Sequence, residues 1–199
     1  MDERAEALLE FWFGTLDEDG IAPPERRKRW FAGDPDFDEE LRRRFGALHE
    51  QARAGALDRW AQTPRGRLAL VLLLDQVSRN LHRGTAEAFA ADAHALALAR
   101  GALARGEDRE LALCERVFLY LPFEHAEDLA AQEIAVERFA ELAAIAPERA
   151  RPLFEEFLDY AVRHRDVIAR FGRFPHRNAA LGRATTPEEQ AWLEREGGF

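Results

Sequence analysis

Apolar side chains recur every three to four residues through most of this chain, the spacing of helices with one buried face. The pattern breaks at Gly20, Pro23-Pro24, Gly33-Asp34-Pro35, Thr63-Pro64, Gly84, Gly101, Gly106, Pro122, Pro147, Pro152 and between Gly172 and Pro175, residue types that punctuate helices. Between these marks the spacing predicts helices over about 2–13, 23–31, 37–53, 65–82, 86–104, 109–120, 124–145, 152–171 and 187–195. Asp36 with Glu39 and Thr186 with Glu189 have capping-box spacing, and Pro187 suits a first helical position. Thr85 can cap a helix that begins at Ala86. The run Leu68 to Leu74 is apolar throughout, so 65–82 is expected to be the central buried helix. In 124–145, Leu129, Val136, Phe139 and Ala143 share one stripe. No repeat period emerges. Successive helix pairs joined by short loops suggest antiparallel hairpins stacked side by side, in one domain over 1–199.

Composition agrees with an all-α reading. Alanine, the best helix former, supplies 36 of 199 residues, whereas Val, Ile and Thr together supply 15. A chain of this length buries about 70% of its unfolded surface and needs no disulfide or metal for stability. Cys114 is the only cysteine, which excludes an internal disulfide and fits a reducing compartment. The net charge of −9 opposes binding to nucleic acid or to an anionic membrane. The N-terminal residues lack the basic start of a signal peptide, and no apolar run approaches the ~20 residues of a membrane span. The expectation is a cytoplasmic protein without nucleic-acid or membrane partners. Lys28 is the only lysine, so nearly every cation is a planar, bidentate arginine.

Four polar clusters interrupt the apolar pattern. Asp75, Gln76, Arg79, Asn80 and Arg83 fall on one helical strip, with Asp75 and Arg79 spaced to pair. His125 and Gln132 stand on the apolar stripe of 124–145, with Asp128 placed to orient His125. His164 shares a face with Phe157, Tyr160, Ala161, Ile168 and Phe171. From 163 to 183 there are six arginines and one acid, Asp166, interleaved with Phe171 and Phe174. Buried polar groups must find partners, so each cluster belongs either to a structural network or to a polar cavity. The arginines can hold a carboxylate or phosphate, or can pair with surplus acids on neighbouring helices.

Other chemistries fare worse. Cys114 lies between Leu111 and Phe118 on an apolar face and reads as an inert core thiol. Ser78, the only serine, has no glycine elbow. No phosphate-cradling glycine loop or HExxH motif occurs, and His125, Asp128, His164 and His176 form a weak metal set, so neither metal nor cofactor is expected.

Several of these stretches resemble a known family, the bacterial domain of unknown function 924. They are Phe11-Trp12-Phe13-Gly14, Trp30-Phe31, Pro64 to Leu68, Leu74-Asp75-Gln76, Arg79-Asn80, Arg83-Gly84-Thr85, Ala88-Phe89 and Asp92. Tyr120, Pro122, Glu124-His125, Glu127-Asp128, Arg170 to Asn178 and Leu181-Gly182-Arg183 complete the resemblance. It implies an all-helical fold like the tetratricopeptide-repeat superhelices and brings no activity with it. The family pattern typically has an aromatic and a proline where this chain has Val77-Ser78, which removes Ser78 as a nucleophile.

Taken together, the residues suggest a site for a small anion with acid–base chemistry. Arg170, Arg173, Arg177 and Asn178 are expected to bind the anion, and Asp75, Gln76, Arg79 and Asn80 to form the facing wall. His125, His164 and His176 are the expected proton carriers, with Asp128 orienting His125. A tetratricopeptide-like scaffold for a protein or peptide partner is the alternative. Convergence of the clusters in one cavity separates the first reading from the second.

Overall fold

Every residue from Leu68 to Leu74 is fully buried, and the rest of the fold is arranged around this run. The structure, a computed structural model, describes residues 2–198. Ten α-helices are present among them: α1 (Glu3–Phe13), α2 (Pro24–Trp30), α3 (Pro35–Arg53), α4 (Pro64–Val71), α5 (Ser78–Leu81), α6 (Asp92–Arg105), α7 (Leu113–Glu124), α8 (Leu129–Ile145), α9 (Arg151–Phe171) and α10 (Pro187–Glu196). A π-helical segment, Leu72–Val77, joins α4 to α5, so the expected 65–82 helix forms with a widened turn in its middle. No strand occurs among the described residues.

The buried run sits where α1, α3, α6 and α7 meet. Gly66 allows the entry: a β-carbon there would collide with the carbonyl oxygen of Trp60, so α4 can lie directly on the preceding turn. Thr63 caps α4 by accepting from the Gly66 N–H. Trp12, Phe13, Trp30 and Phe118 pack edge-to-face around the N-terminal part of the core. Further along, α8 and α9 pack along their lengths and are joined by a short turn, an antiparallel hairpin that α7 abuts. A smaller core of Val167, Ile168, Phe174 and Trp192 holds α10.

Several boundaries differ from the sequence reading. Asp34, not Asp36, caps α3, because Pro35 fits the first helical position and starts the helix earlier. Thr85 does not cap: its hydroxyl donates to the His82 carbonyl at 2.8 Å, and 86–104 splits into a 3₁₀ turn, Ala86–Phe89, followed by α6. The helix expected over 109–120 begins at Leu113 and runs through Pro122 to Glu124. The next therefore starts at Leu129, and Leu129, 41% exposed, leaves the stripe that Phe139 and Ala143 keep. The Thr186–Glu189 capping box forms as expected. No helix among the described residues is long and apolar enough to cross a membrane.

Candidate functional site

The widened turn delivers Asp75 into the interior beside the C-terminal end of α7. Asp75 is fully buried and fully engaged. Its Oδ1 accepts from His125 Nδ1 at 2.7 Å, its Oδ2 accepts from Gln76 Nε2 at 2.6 Å, and Arg79 Nη1 stands 3.1 Å from Oδ1. Burial alone would raise its pKa, but the Arg79 charge and the His125 contact outweigh burial and hold the carboxyl well below its usual range. An ionised carboxylate only accepts, so His125 carries its proton on Nδ1 and keeps a lone pair on Nε2. Burial and the Arg79 charge lower the His125 pKa despite Asp75, so the ring is neutral at pH 7.

The neighbouring groups are buried and perturbed as well. Burial, reinforced by the Asp75 charge, pushes the Glu124 carboxyl up to about 8, so it is largely protonated near neutral pH. Glu124 Oε1 lies 3.3 Å from His164 Nδ1, which also meets the Tyr160 carbonyl at 2.8 Å. Burial and the nearby His125 lower His164 to about 3, and burial with the Arg177 charge lowers His176 to about 4. Three neutral imidazoles and a protonated carboxyl therefore share one neighbourhood.

Arg79 grips Asp92 bidentately at 2.8 and 2.9 Å. Arg177 Nη1 reaches the same carboxylate at 3.3 Å, and its guanidinium lies over the rings of Phe89 and Phe174 at 4.6 and 4.4 Å from their centroids. Burial and the Arg79 charge depress Arg177 to about 10. Its Nε is buried without a hydrogen-bond partner. A buried donor left unmade is unfavourable by ~1–3 kcal/mol, so the fold itself does not fully satisfy this guanidinium.

These groups line one cavity of about 630 Å³. Gln76, Arg79, Asn80, Glu124, His125, His164, His176 and Arg177 all contribute to its wall, and Asp75 lies directly behind His125. The other side, from α2 and the first half of α9, is largely apolar: Trp30, Phe31, Leu153, Phe157 and Tyr160, with Arg27 and Glu156 on the same helices. Glu127 ties the chain around this space. Its carboxylate accepts from the Phe174 N–H at 2.7 Å and from Arg183 at 2.7 and 3.0 Å, fastening the loop of His176 and Arg177 to the turn after His125.

Four expected site residues lie elsewhere. Arg170 pairs with Glu188 on the surface, and Arg173 pairs bidentately with Glu189. Asn178 is buried and donates to Glu189 while accepting from Arg183. These three dock α10, so most of the arginine loop pairs with acids, as the structural reading allowed. Asp128 does not orient His125. Because α7 ends at Glu124, Asp128 becomes the N-cap of α8, accepts from the Ala130 N–H at 3.0 Å and faces Arg100. Asp75 takes the orienting role instead. Gln132, read as part of either a structural network or a cavity, takes the structural place: it donates to the carbonyls of Glu124 and Ala126 and closes the α7–α8 turn.

The sequence reading quoted Glu124, Asp92 and Phe89 only in the family-like stretches and did not assign them, or the α2–α9 apolar side, to the site. Asp92 carried a usable signal, an acid at a helix start thirteen residues beyond Arg79, but the pairing is tertiary. Among the described residues, His49, Glu50 and His82 place one ligand atom each within 4.8 Å of the others, and none of them lines the cavity.

The fold and its polar cavity thus define an all-α protein with buried, perturbed acid–base groups gathered where α2, α5, α7 and α9 meet the π turn and two 3₁₀ turns. Residues 8–197 match the family described as bacterial protein of unknown function, DUF924, and the chain belongs to that family. It is similar to a solved structure of a protein of unknown function, ATU0120, from Agrobacterium tumefaciens, with 41% identity and a TM-score of 0.80. That similarity covers 96% of this chain and 97% of the other. Among curated proteins nothing matches the chain.

Proposed function

We propose that this protein binds a small anionic molecule, a carboxylate or phosphate, in the cavity and transfers protons on it, with His125 as general base. The observation that carries this reading is the buried Asp75–His125 pair, set in the same wall as Arg79 and Arg177. Asp75 fixes the tautomer, so the imidazole offers a lone pair, and its carboxylate is placed to stabilise the imidazolium that proton abstraction would create. Glu124, protonated near neutral pH, supplies a proton donor nearby. Pairs of titratable groups with pKa values pushed apart are the usual division between base and acid.

Placement favours this over a peptide scaffold. At least one member of each of the four polar clusters lines one cavity, with a volume in the range of about 300–1,000 Å³ that suits small molecules. Cys114, the single cysteine and a free thiol, fits work in a reducing cytoplasm.

The test is a thermal-shift panel of carboxylates and phosphates. A ligand at about 100 times its Kd adds ~2.7 kcal/mol, raising Tm by roughly 5–10 °C at this size. The shift should vanish in Arg177→Ala and persist in Arg173→Ala. A panel with no shift at all would remove the reading.

A further inference from the structure

The cavity is far larger than a bare carboxylate or phosphate requires, and its lining is divided. Oxyanion-binding and proton-carrying groups come from the π turn and α5, the end of α7, His164 in the second half of α9 and the loop of His176 and Arg177. The opposing side comes from α2 and α9, where Phe31 and Phe157 meet edge-to-face with centroids 6.3 Å apart. Phe31 is 59% exposed and Tyr160 is 43% exposed, although both are large apolar-bodied side chains. Large apolar groups left open beside a polar cavity mark a surface that a ligand covers.

We propose that the ligand is amphipathic: an oxyanion head group held at Arg79 and Arg177, joined to an aliphatic or aromatic body that packs on Phe31, Leu153, Phe157 and Tyr160. This rests on the reading of the cavity as an anion site. A hydrophilic dianion would leave the α2–α9 side wet. A neutral apolar ligand would make no use of the two guanidiniums, Arg79 and Arg177, in the cavity wall. One molecule with both parts satisfies both ends, and its head comes to lie beside His125 and Glu124. The atoms next to the head group are therefore the ones exposed to proton transfer.

The experiment uses the full chain and isothermal titration at pH 7. Sodium salts of the straight-chain acids from acetate to octanoate form one series, and inorganic phosphate to hexyl phosphate the second. If the body packs on the apolar side, affinity rises about threefold to fourfold per methylene until the cavity is filled. The double variant Phe31→Ala, Tyr160→Ala, at two exposed positions, should flatten that slope while leaving the shortest anions bound as before. Arg177→Ala should weaken every member alike. A rising slope in either series supports the proposal, and the series that shows it names the head group. Binding that is independent of chain length, yet lost in Arg177→Ala, overturns the amphipathic ligand and leaves the anion site standing. Failure of every member to bind overturns both.

Discussion

Arg79 and Arg177, far apart in sequence, hold the same carboxylate, that of Asp92. One acid thus neutralises parts of two buried cations, one from the helix after the π turn and one from the C-terminal loop. The arrangement fixes the separation of two guanidiniums that would otherwise repel. Asp75, 3.1 Å from Arg79, supplies the second buried negative charge, so the two cations and two carboxylates form one balanced cluster.

Removal of the shared partner tests this directly. Asp92→Asn leaves both guanidiniums partly unpaired in a largely buried site and should lower stability by about 2–3 kcal/mol. Calorimetry should then show Tm falling by roughly 5–10 °C. A Tm unchanged within 2 °C, with both arginines still ordered, would show that Asp92 is not their main counter-ion.

Asp75→Asn should release the tautomer of His125. Nitrogen-detected side-chain NMR of the native protein should show His125 protonated at Nδ1, and the variant should lose that preference. In the same variant the charge of Arg79 loses a buried partner, so stability should fall by ~2–4 kcal/mol. An unaltered His125 spectrum would mean that Asp75 does not orient the ring.

Glu124 gives a pH signature. Its folded pKa, about 8, lies above its ordinary value of 4.5, so the folded state holds a proton that the unfolded chain releases earlier. Its contribution is fully present below pH 4.5 and is lost as pH rises toward 8. Glu124→Gln cannot ionise and should therefore gain stability relative to the native protein as pH rises from 5 to 8. Denaturant titrations across that range would show the difference, and a constant gap between the two proteins would contradict the assignment.

The histidines act in the opposite direction. His164 and His176 have folded pKa values of about 3 and 4, below the ordinary 6.5, so their contribution is present above pH 6.5 and is lost as pH falls toward 4. His176→Gln should shallow the acid limb of the stability curve in that window. A variant that loses stability with acid as steeply as the native protein would show that His176 does not hold back a proton in the fold.

Arg173 separates docking from binding. Its bidentate pair with Glu189 ties α10 to the loop, so Arg173→Ala should speed amide exchange over 183–193 and leave ligand-induced shifts intact. Unchanged exchange there would mean that Arg170, Asn178 and the Trp192 core hold α10 without Arg173.

Helix content and the central core were readable because both follow from local spacing. The Leu68–Leu74 run is buried as its composition requires, and the Thr186 cap forms because its partners are three residues apart. The site was readable only in part. His125, His164, His176, Arg177, Gln76, Arg79 and Asn80 were identifiable as polar groups in apolar surroundings, and they meet in one cavity. Arg170, Arg173 and Asn178 had the same look, yet they meet Glu188 and Glu189, because an arginine's local sequence does not reveal which distant acid it will find. The misplacement of Asp128 came from a boundary: α7 running through Pro122 turned an expected i, i+3 neighbour into a helix cap.

The fastening at Glu127 has a mechanical consequence. Because one carboxylate joins the turn that carries His125 to the loop that carries Arg177, a shift of either segment carries the other with it. The link opposes independent movement of the two segments that bring His125 and Arg177 into the cavity wall.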